Sequence, residues 1–152
     1  MKNKHLTLQD RQSIEQMLNA KKTFAEIART LEKDKCTISK EVRAHVEHFR
    51  VGGQGCNYNN CKNRYHCQKT CICSTCNSPK KFKLCRRCAL CNMRCPDFEK
   101  DVCPRHTKPP YVCNGCGKRS FCTLEKKVYI GNDAQPLRIG PINIYNGYCF
   151  NG

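Results

Sequence analysis

Thr23-Phe24-Ala25-Glu26-Ile27-Ala28-Arg29-Thr30-Leu31-Glu32-Lys33-Asp34-Lys35-Cys36-Thr37-Ile38-Ser39-Lys40-Glu41-Val42 is the stretch that decides the fold. Thr23 and Glu26 have the Thr-x-x-Glu spacing of a capping box, in which hydroxyl and carboxylate each take an orphan N–H at a helix start. Behind the box, Phe24, Ile27, Ala28 and Leu31 recur at the 3.6-residue period. Glu32-Lys33-Asp34 is a polar break, and a further helix is expected from about Lys35 to His45, with Ile38 and Val42 four apart. Upstream, Thr7-Leu8-Gln9-Asp10 is a second box-like start. Ile14 and Leu18 follow at i, i+4 with Met17 beside them, and Asn19-Ala20-Lys21-Lys22 ends that helix.

Helix, short break, helix, with one more helix in front, is helix-turn-helix arithmetic. The expected core is Ile14, Leu18, Phe24, Ile27, Leu31, Ile38 and Val42. The third helix then carries Lys35, Cys36, Thr37, Ser39, Lys40 and Arg43 outward as candidate DNA contacts. Hydroxyls meet bases or phosphate, arginine forks onto guanine and lysine reaches phosphate oxygens. A small bundle with a merely solvated basic face is the competing reading of the same pattern. One strain point is visible: such turns often hold a residue at positive φ, and the break offers Glu32 instead of glycine.

Composition points the same way. The chain has 152 residues with 28 Lys+Arg against 12 Asp+Glu, a net charge of +16 that implies an acidic partner, most simply nucleic acid, and with the helix-turn-helix pattern double-stranded DNA is the expected partner. The 39% hydrophobic fraction counts 16 cysteines, and without them little remains for a single large core. No apolar run is long enough to span a membrane, and no apolar stretch follows Met1–Thr7 as a secretory signal would require. A large enzyme core and a membrane protein are thereby excluded, and a bacterial cytoplasmic, nucleoid-associated location is expected. The expected organisation is a helix-turn-helix domain at 1–50, a hinge at 51–55 around Gly52, Gly53 and Gly55, a cysteine-rich module at 56–127 and an unassigned tail at 128–152.

Leu6-Thr7-Leu8-Gln9-Asp10-Arg11, Phe24–Leu31 and Thr37–Val42 resemble the start of bacterial insertion-sequence transposases of the IS-thirty type. Cys95-Pro96-Asp97-Phe98, Cys103-Pro104, Lys108-Pro109-Pro110-Tyr111-Val112-Cys113-Asn114-Gly115-Cys116 and Cys122–Lys127 resemble the cysteine-rich insert of one subgroup. The resemblance implies a helix-turn-helix that binds the terminal inverted repeats of the element, with a second copy or a full-length transposase as protein partner. Where that family usually has glycine the chain has Glu32, and where it often has proline the chain has Lys35. The family continues into an acidic-triad catalytic domain. Residues from 128 onward no longer resemble it, so a non-enzymatic, truncated chain is expected, its tail a genuine ending or an out-of-frame scar.

From residue 56 the cysteines crowd: Cys56, Cys61, Cys67, Cys71, Cys73, Cys76, Cys85, Cys88, Cys91, Cys95, Cys103, Cys113, Cys116 and Cys122. Cys73/Cys76, Cys85/Cys88, Cys88/Cys91 and Cys113/Cys116 have the C-x-x-C spacing that aims two thiolates at one tetrahedral zinc. With His66 and His106 as further ligands, about three zinc ions are expected, in an irregular module stapled by metal. A disulfide scaffold is the alternative, opposed by the missing signal peptide and the DNA-binding pattern. Locally, Cys85-x-x-Cys88-x-x-Cys91-x-x-x-Cys95-Pro96 also matches an iron–sulfur spacing. Residues 51–127 hold 16 basic and 4 acidic side chains, and Lys80, Lys81, Lys83, Arg86, Arg87 and Arg94 either neutralise metal–thiolate clusters or meet DNA. Cys36 and Cys149 stand outside the ligand set. The functional expectation is DNA binding as the end-recognition part of a transposase-like protein. A stand-alone transcriptional regulator and a zinc-scaffold interaction protein are the alternatives.

Overall fold

The computed structural model describes residues 5–74, 76 and 84–132, so Lys80, Lys81, Lys83, Asp133 and Cys149 lie outside the described residues. The chain forms two compact units. The described part of the first comprises residues 5–49, 104–117 and 126–132, and that of the second lies within 50–103 and 118–125.

The first unit opens with helices α1 (Leu8–Asn19), α2 (Phe24–Thr30) and α3 (Lys35–Ala44). Both expected capping boxes form. Thr7 Oγ1 accepts from Asp10 N at 3.1 Å while Thr7 N donates to the Asp10 carboxylate at 2.9 Å. Thr23 N donates to Glu26 at 2.7 Å and Glu26 N returns to Thr23 Oγ1 at 3.3 Å. The backbone N–H of each capping threonine holds the partner carboxyl below its ordinary pKa. A third cap was not anticipated: Asp34 accepts from Cys36 N at 2.6 Å and starts α3.

The break between α2 and α3 is as tight as a helix-turn-helix needs, and Glu32 sits at φ +51°, in the left-handed region. Lys33 N closes back onto Ala28 O at 2.9 Å, the i to i−5 bond of a helix-ending turn. A side chain in this region costs about 1–2 kcal/mol, while glycine adds unfolded-state entropy of about 0.4–1 kcal/mol. Glu32→Gly is therefore expected to stabilise the unit by about 0.5–1 kcal/mol, read as a higher urea midpoint. A lower midpoint would show that the glutamate side chain compensates its own strain.

Six of the seven expected core residues are buried, and Leu31 packs at the margin, partly exposed. The core also contains Ala28, Val112 and Tyr129. The last two arrive from far along the sequence, so residues 1–50 do not close this core by themselves. Strand β1 (Val46–Phe49) pairs antiparallel with β2 (Lys126–Tyr129), Val46 opposite Tyr129 and Phe49 opposite Lys126. This two-stranded sheet is an addition to the expected mainly helical and irregular fold. It also brings Val128 and Tyr129, from the stretch read as an unassigned tail, into the helical unit. Asn114, 1% exposed, fastens the pieces: its amide donates to Tyr129 O at 3.1 Å and its oxygen accepts from Tyr129 N at 2.8 Å. The same amide nitrogen reaches Asn19 Oδ1 at the end of α1, at 3.3 Å.

The second unit is mostly irregular, with a 3-10 turn at Cys85–Arg87 and the one-turn helix α4 (Cys91–Arg94). Its interior sets the polar Asn59 and Thr123 among buried Cys61, Cys85, Cys91 and Leu124. Asn59, 1% exposed, donates its amide to Arg86 O at 2.8 Å and accepts from Cys61 N at 2.8 Å. Thr123 Oγ1 donates to Asn59 O at 3.0 Å, and Asn57 and Asn92 make similar side-chain bonds to backbone. Gly52 and Gly53, within the stretch expected as a hinge, are closely approached by backbone. A Cβ on Gly52 would lie 1.8 Å from Cys56 O, and one on Gly53 would lie 2.4 Å from Phe121 O. Gln54 N donates to Ser120 O at 2.7 Å, which ties the run down. Among the described residues, no helix is long and apolar enough to cross a membrane.

Candidate functional site

α3 separates its faces by the helical period. Ile38, Glu41 and Val42 are buried, while Lys35, Cys36, Thr37, Lys40 and Arg43 are exposed and Ser39 is half-buried. Cys36, Lys40 and Arg43 fall at i, i+4, i+7 and form one stripe, with Thr37 and Ser39 flanking it. Five of the six predicted contact residues are thus exposed on α3, and Ser39 lies at the margin.

Two devices hold that stripe in place. On the inner face Glu41, 9% exposed, receives Arg11 Nε of α1 at 2.8 Å and the Tyr129 hydroxyl at 3.2 Å. Its other near neighbour is His45 Nδ1, at 3.2 Å. Burial and the Glu41 carboxylate push the Tyr129 phenol well above its ordinary pKa, so it stays a neutral donor. On the outer side the Arg43 guanidinium lies over the Tyr111 ring, 5.4 Å from its centroid, and Tyr111 also meets Phe24 of α2 at 6.2 Å between centroids. Tyr111 itself sits at φ +64°. It belongs to the Lys108–Cys116 segment, which was read only as part of the cysteine insert. Its role beside α3 leaves no periodic signal in the sequence, because it acts from 68 positions away in the chain.

The 14 expected metal ligands are divided between the two units. Cys61, Cys67, Cys91 and Cys95 line one cavity of about 280 Å³ in the second unit, together with Arg64 and Arg86. Burial pushes the Cys91 thiol up to about 11, with Cys95, Cys61, Cys67 and Cys85 adding to the rise. Cys85 is buried and accepts Ile72 N at 3.4 Å. In the first unit Cys113 is buried beside His106, whose Nε2 lies 3.2 Å from its sulfur. Cys116 N closes the Cys113–Cys116 turn on Cys113 O at 3.0 Å, with Gly115 at φ +68°. Cys56, Cys71 and Cys76 are exposed, while Cys73, Cys88, Cys103, Cys116 and Cys122 are half-buried. No disulfide joins cysteines among the described residues. Among the same residues, no group of three or more His, Cys, Asp or Glu side chains is set as it would be to hold a metal ion.

The acidic side chains of the second unit are engaged with cations. Asp97 pairs with Lys69, Glu99 with Lys62, Asp101 with Arg64 and Glu125 with Arg50.

A family model described as a helix-turn-helix domain matches residues 2–45. No curated protein and no solved structure matches the chain. Residues 2–45 therefore carry a helix-turn-helix domain, a fold that suits DNA binding, and α3 (Lys35–Ala44) is the third helix within it.

Proposed function

We propose that the chain binds the terminal inverted repeats of an insertion element, as the end-recognition part of a transposase-like protein. The observation that carries the DNA-reading role is the Cys36-Lys40-Arg43 stripe, exposed on α3 and backed by Glu41 and Tyr111. Its surroundings are cationic: the net charge of +16 suits a phosphate backbone. The transposon context rests on the likeness of residues 6–11, 24–31 and 37–42, and of the Cys95–Lys127 stretch, to transposases of the IS-thirty type.

Phosphoryl transfer of that kind needs carboxylates around metal ions. Four of the acids beyond residue 50 are paired with Lys or Arg, an arrangement that suits binding rather than strand cleavage. We read the cysteine-rich module as zinc-binding, holding about three ions, because its small interior is built of thiols and hydrogen-bonded Asn59 and Thr123 with few large apolar side chains, and a core of this kind gains its stability from a staple.

Selection of duplexes from a random pool by the full chain tests the reading. Enrichment of a sequence that also stands, inverted, at both ends of a mobile element flanking the gene is expected. Affinity should fall steeply with salt. Enrichment of a promoter operator without such ends would transfer the protein to the regulators, and binding indifferent to sequence would remove α3 as the reader. The same chain with an inverted-repeat substrate and Mg²⁺ or Mn²⁺ is expected to leave the strands uncut.

A further inference from the structure

We propose that Cys61, Cys67, Cys91 and Cys95 hold one zinc ion together, with the guanidinium groups of Arg64 and Arg86 as its supporting cations. This rests on the reading of the cysteine module as zinc-binding and names one of its ligand sets. The four thiols share the walls of a single cavity of about 280 Å³. Cys91 and Cys95 are one helical turn apart, Cys95 N donating to Cys91 O at 3.0 Å, so their side chains leave the backbone on the same side. Cys61 is anchored by its N–H on Asn59 Oδ1 at 2.8 Å, and Cys67 by its N–H on Asn63 O at 2.9 Å. The two halves of the quartet are thus held by separate pieces of chain that face one space.

The arginines carry a second, independent observation. Nε of Arg64 and Nε of Arg86 are buried and have no hydrogen-bond partner. Nη1 of each is engaged: Arg64 Nη1 with Asp101 and Cys61 O, and Arg86 Nη1 with Tyr65 O. The Arg64 side chain is 10% exposed. Leaving a buried charged donor unmatched costs more than the about 1–3 kcal/mol of a neutral one. Zinc with four thiolates has a net charge of −2 and four sulfur acceptors, which answers both the charge and the unmatched N–H groups. Zinc fits the donor set because soft thiolates in a tetrahedron are its structural preference.

This grouping cuts across the sequence spacing. Cys85 and Cys88 do not line the cavity, so Cys91 and Cys95 face Cys61 and Cys67 there and not the first half of the iron–sulfur-like run. The sulfurs do not stand in a ligand arrangement as they are, and the cavity exceeds the space one ion fills. Coordination therefore requires the wall of residues 61–67 to draw inward. That wall consists of turns without helix or strand.

The test uses the full chain purified with zinc, and separately with cobalt(II) as a spectroscopic probe. Cys61→Ser and Cys91→Ser are each expected to lose one ion per monomer and the matching share of thiolate–cobalt absorption. The double variant should lose the same one ion. Loss of two ions in the double variant, or of none in either single variant, overturns the grouping while leaving the module zinc-binding. A wild-type chain that takes up neither metal overturns both readings. To cover variants that fail to fold, thiol alkylation of the unaltered chain is followed during chelator titration. Cys61, Cys67, Cys91 and Cys95 should become reactive at one common chelator concentration, and release at different concentrations sinks the quartet. Arg64→Gln and Arg86→Gln should each weaken zinc affinity by about 10–100-fold. Unchanged affinity would remove the arginines from the site.

Discussion

Tyr129→Ala is expected to unfold the helix-turn-helix unit under conditions in which the wild-type chain is folded. Truncating a buried aromatic costs about 3–5 kcal/mol, and a domain of this size has about 5–15 kcal/mol in total. The ring is fully buried among Ile14, Leu18, Ile38 and their neighbours. Its hydroxyl also donates to Glu41, the carboxylate that receives Arg11, so the truncation leaves a buried charge short of one donor. Tyr129→Phe keeps the ring and should cost about 1–2 kcal/mol, the share of the hydroxyl. By the same argument, a fragment of residues 1–50 should show little cooperative unfolding, since it lacks both Val112 and Tyr129. Far-UV circular dichroism against urea reads all three. A 1–50 fragment with the same sharp transition as the full chain would show that these helices close a core of their own.

Arg43→Ala and Lys40→Ala should each weaken specific DNA binding by about 1–3 kcal/mol, roughly 5- to 150-fold, if the residue reads a base. A residue that meets phosphate alone gives a different signature: weaker binding to all sequences alike and a salt slope lowered by about one unit. Arg43 rests on the Tyr111 ring, which limits the orientations of its guanidinium before DNA arrives. Tyr111→Leu should therefore reduce affinity in the same direction as Arg43→Ala, and add little to it in the double variant. Binding titrations at two salt concentrations separate these cases. If Lys40→Ala and Arg43→Ala both bind as the wild type does while the unit remains folded, α3 is not the reading helix.

The parts of this fold that were legible in the sequence are those whose interactions close within four residues. Thr7 with Asp10 and Thr23 with Glu26 satisfy their N–H groups locally, and the apolar period of α1 to α3 marks its own buried face. Even the strain at Glu32 was visible, because the turn demands a left-handed residue whatever occupies it. The Asp34 cap was hidden inside a break read as punctuation. Val112 and Tyr129 were illegible for another reason: each sits in a short stretch with no period of its own, and Tyr129 takes its place through the tertiary pairing of β2 with β1. The candidate site divides similarly. The outward residues of α3 follow from periodicity, whereas the platform under Arg43 comes from the cysteine-rich stretch. Spacing marked the cysteines as candidate ligands but drew attention to C-x-x-C neighbours. The shared cavity instead joins Cys61 and Cys67, which belong to no such pair, with residues some 30 positions later.

The pairing of Phe49 with Lys126 has a consequence during synthesis. A ribosome adds about 5–20 residues per second, and about 80 residues separate the two strands. For roughly 4–16 s after β1 has been made, the three helices wait in the nascent chain without the tyrosine and valine that finish their core. The cysteine-rich unit is translated in that interval, so most of its thiols are made before the helix-turn-helix unit is whole. Acquisition of DNA affinity is thus placed late in translation, and a chain released before residue 129 carries the recognition helix without the support that presents it.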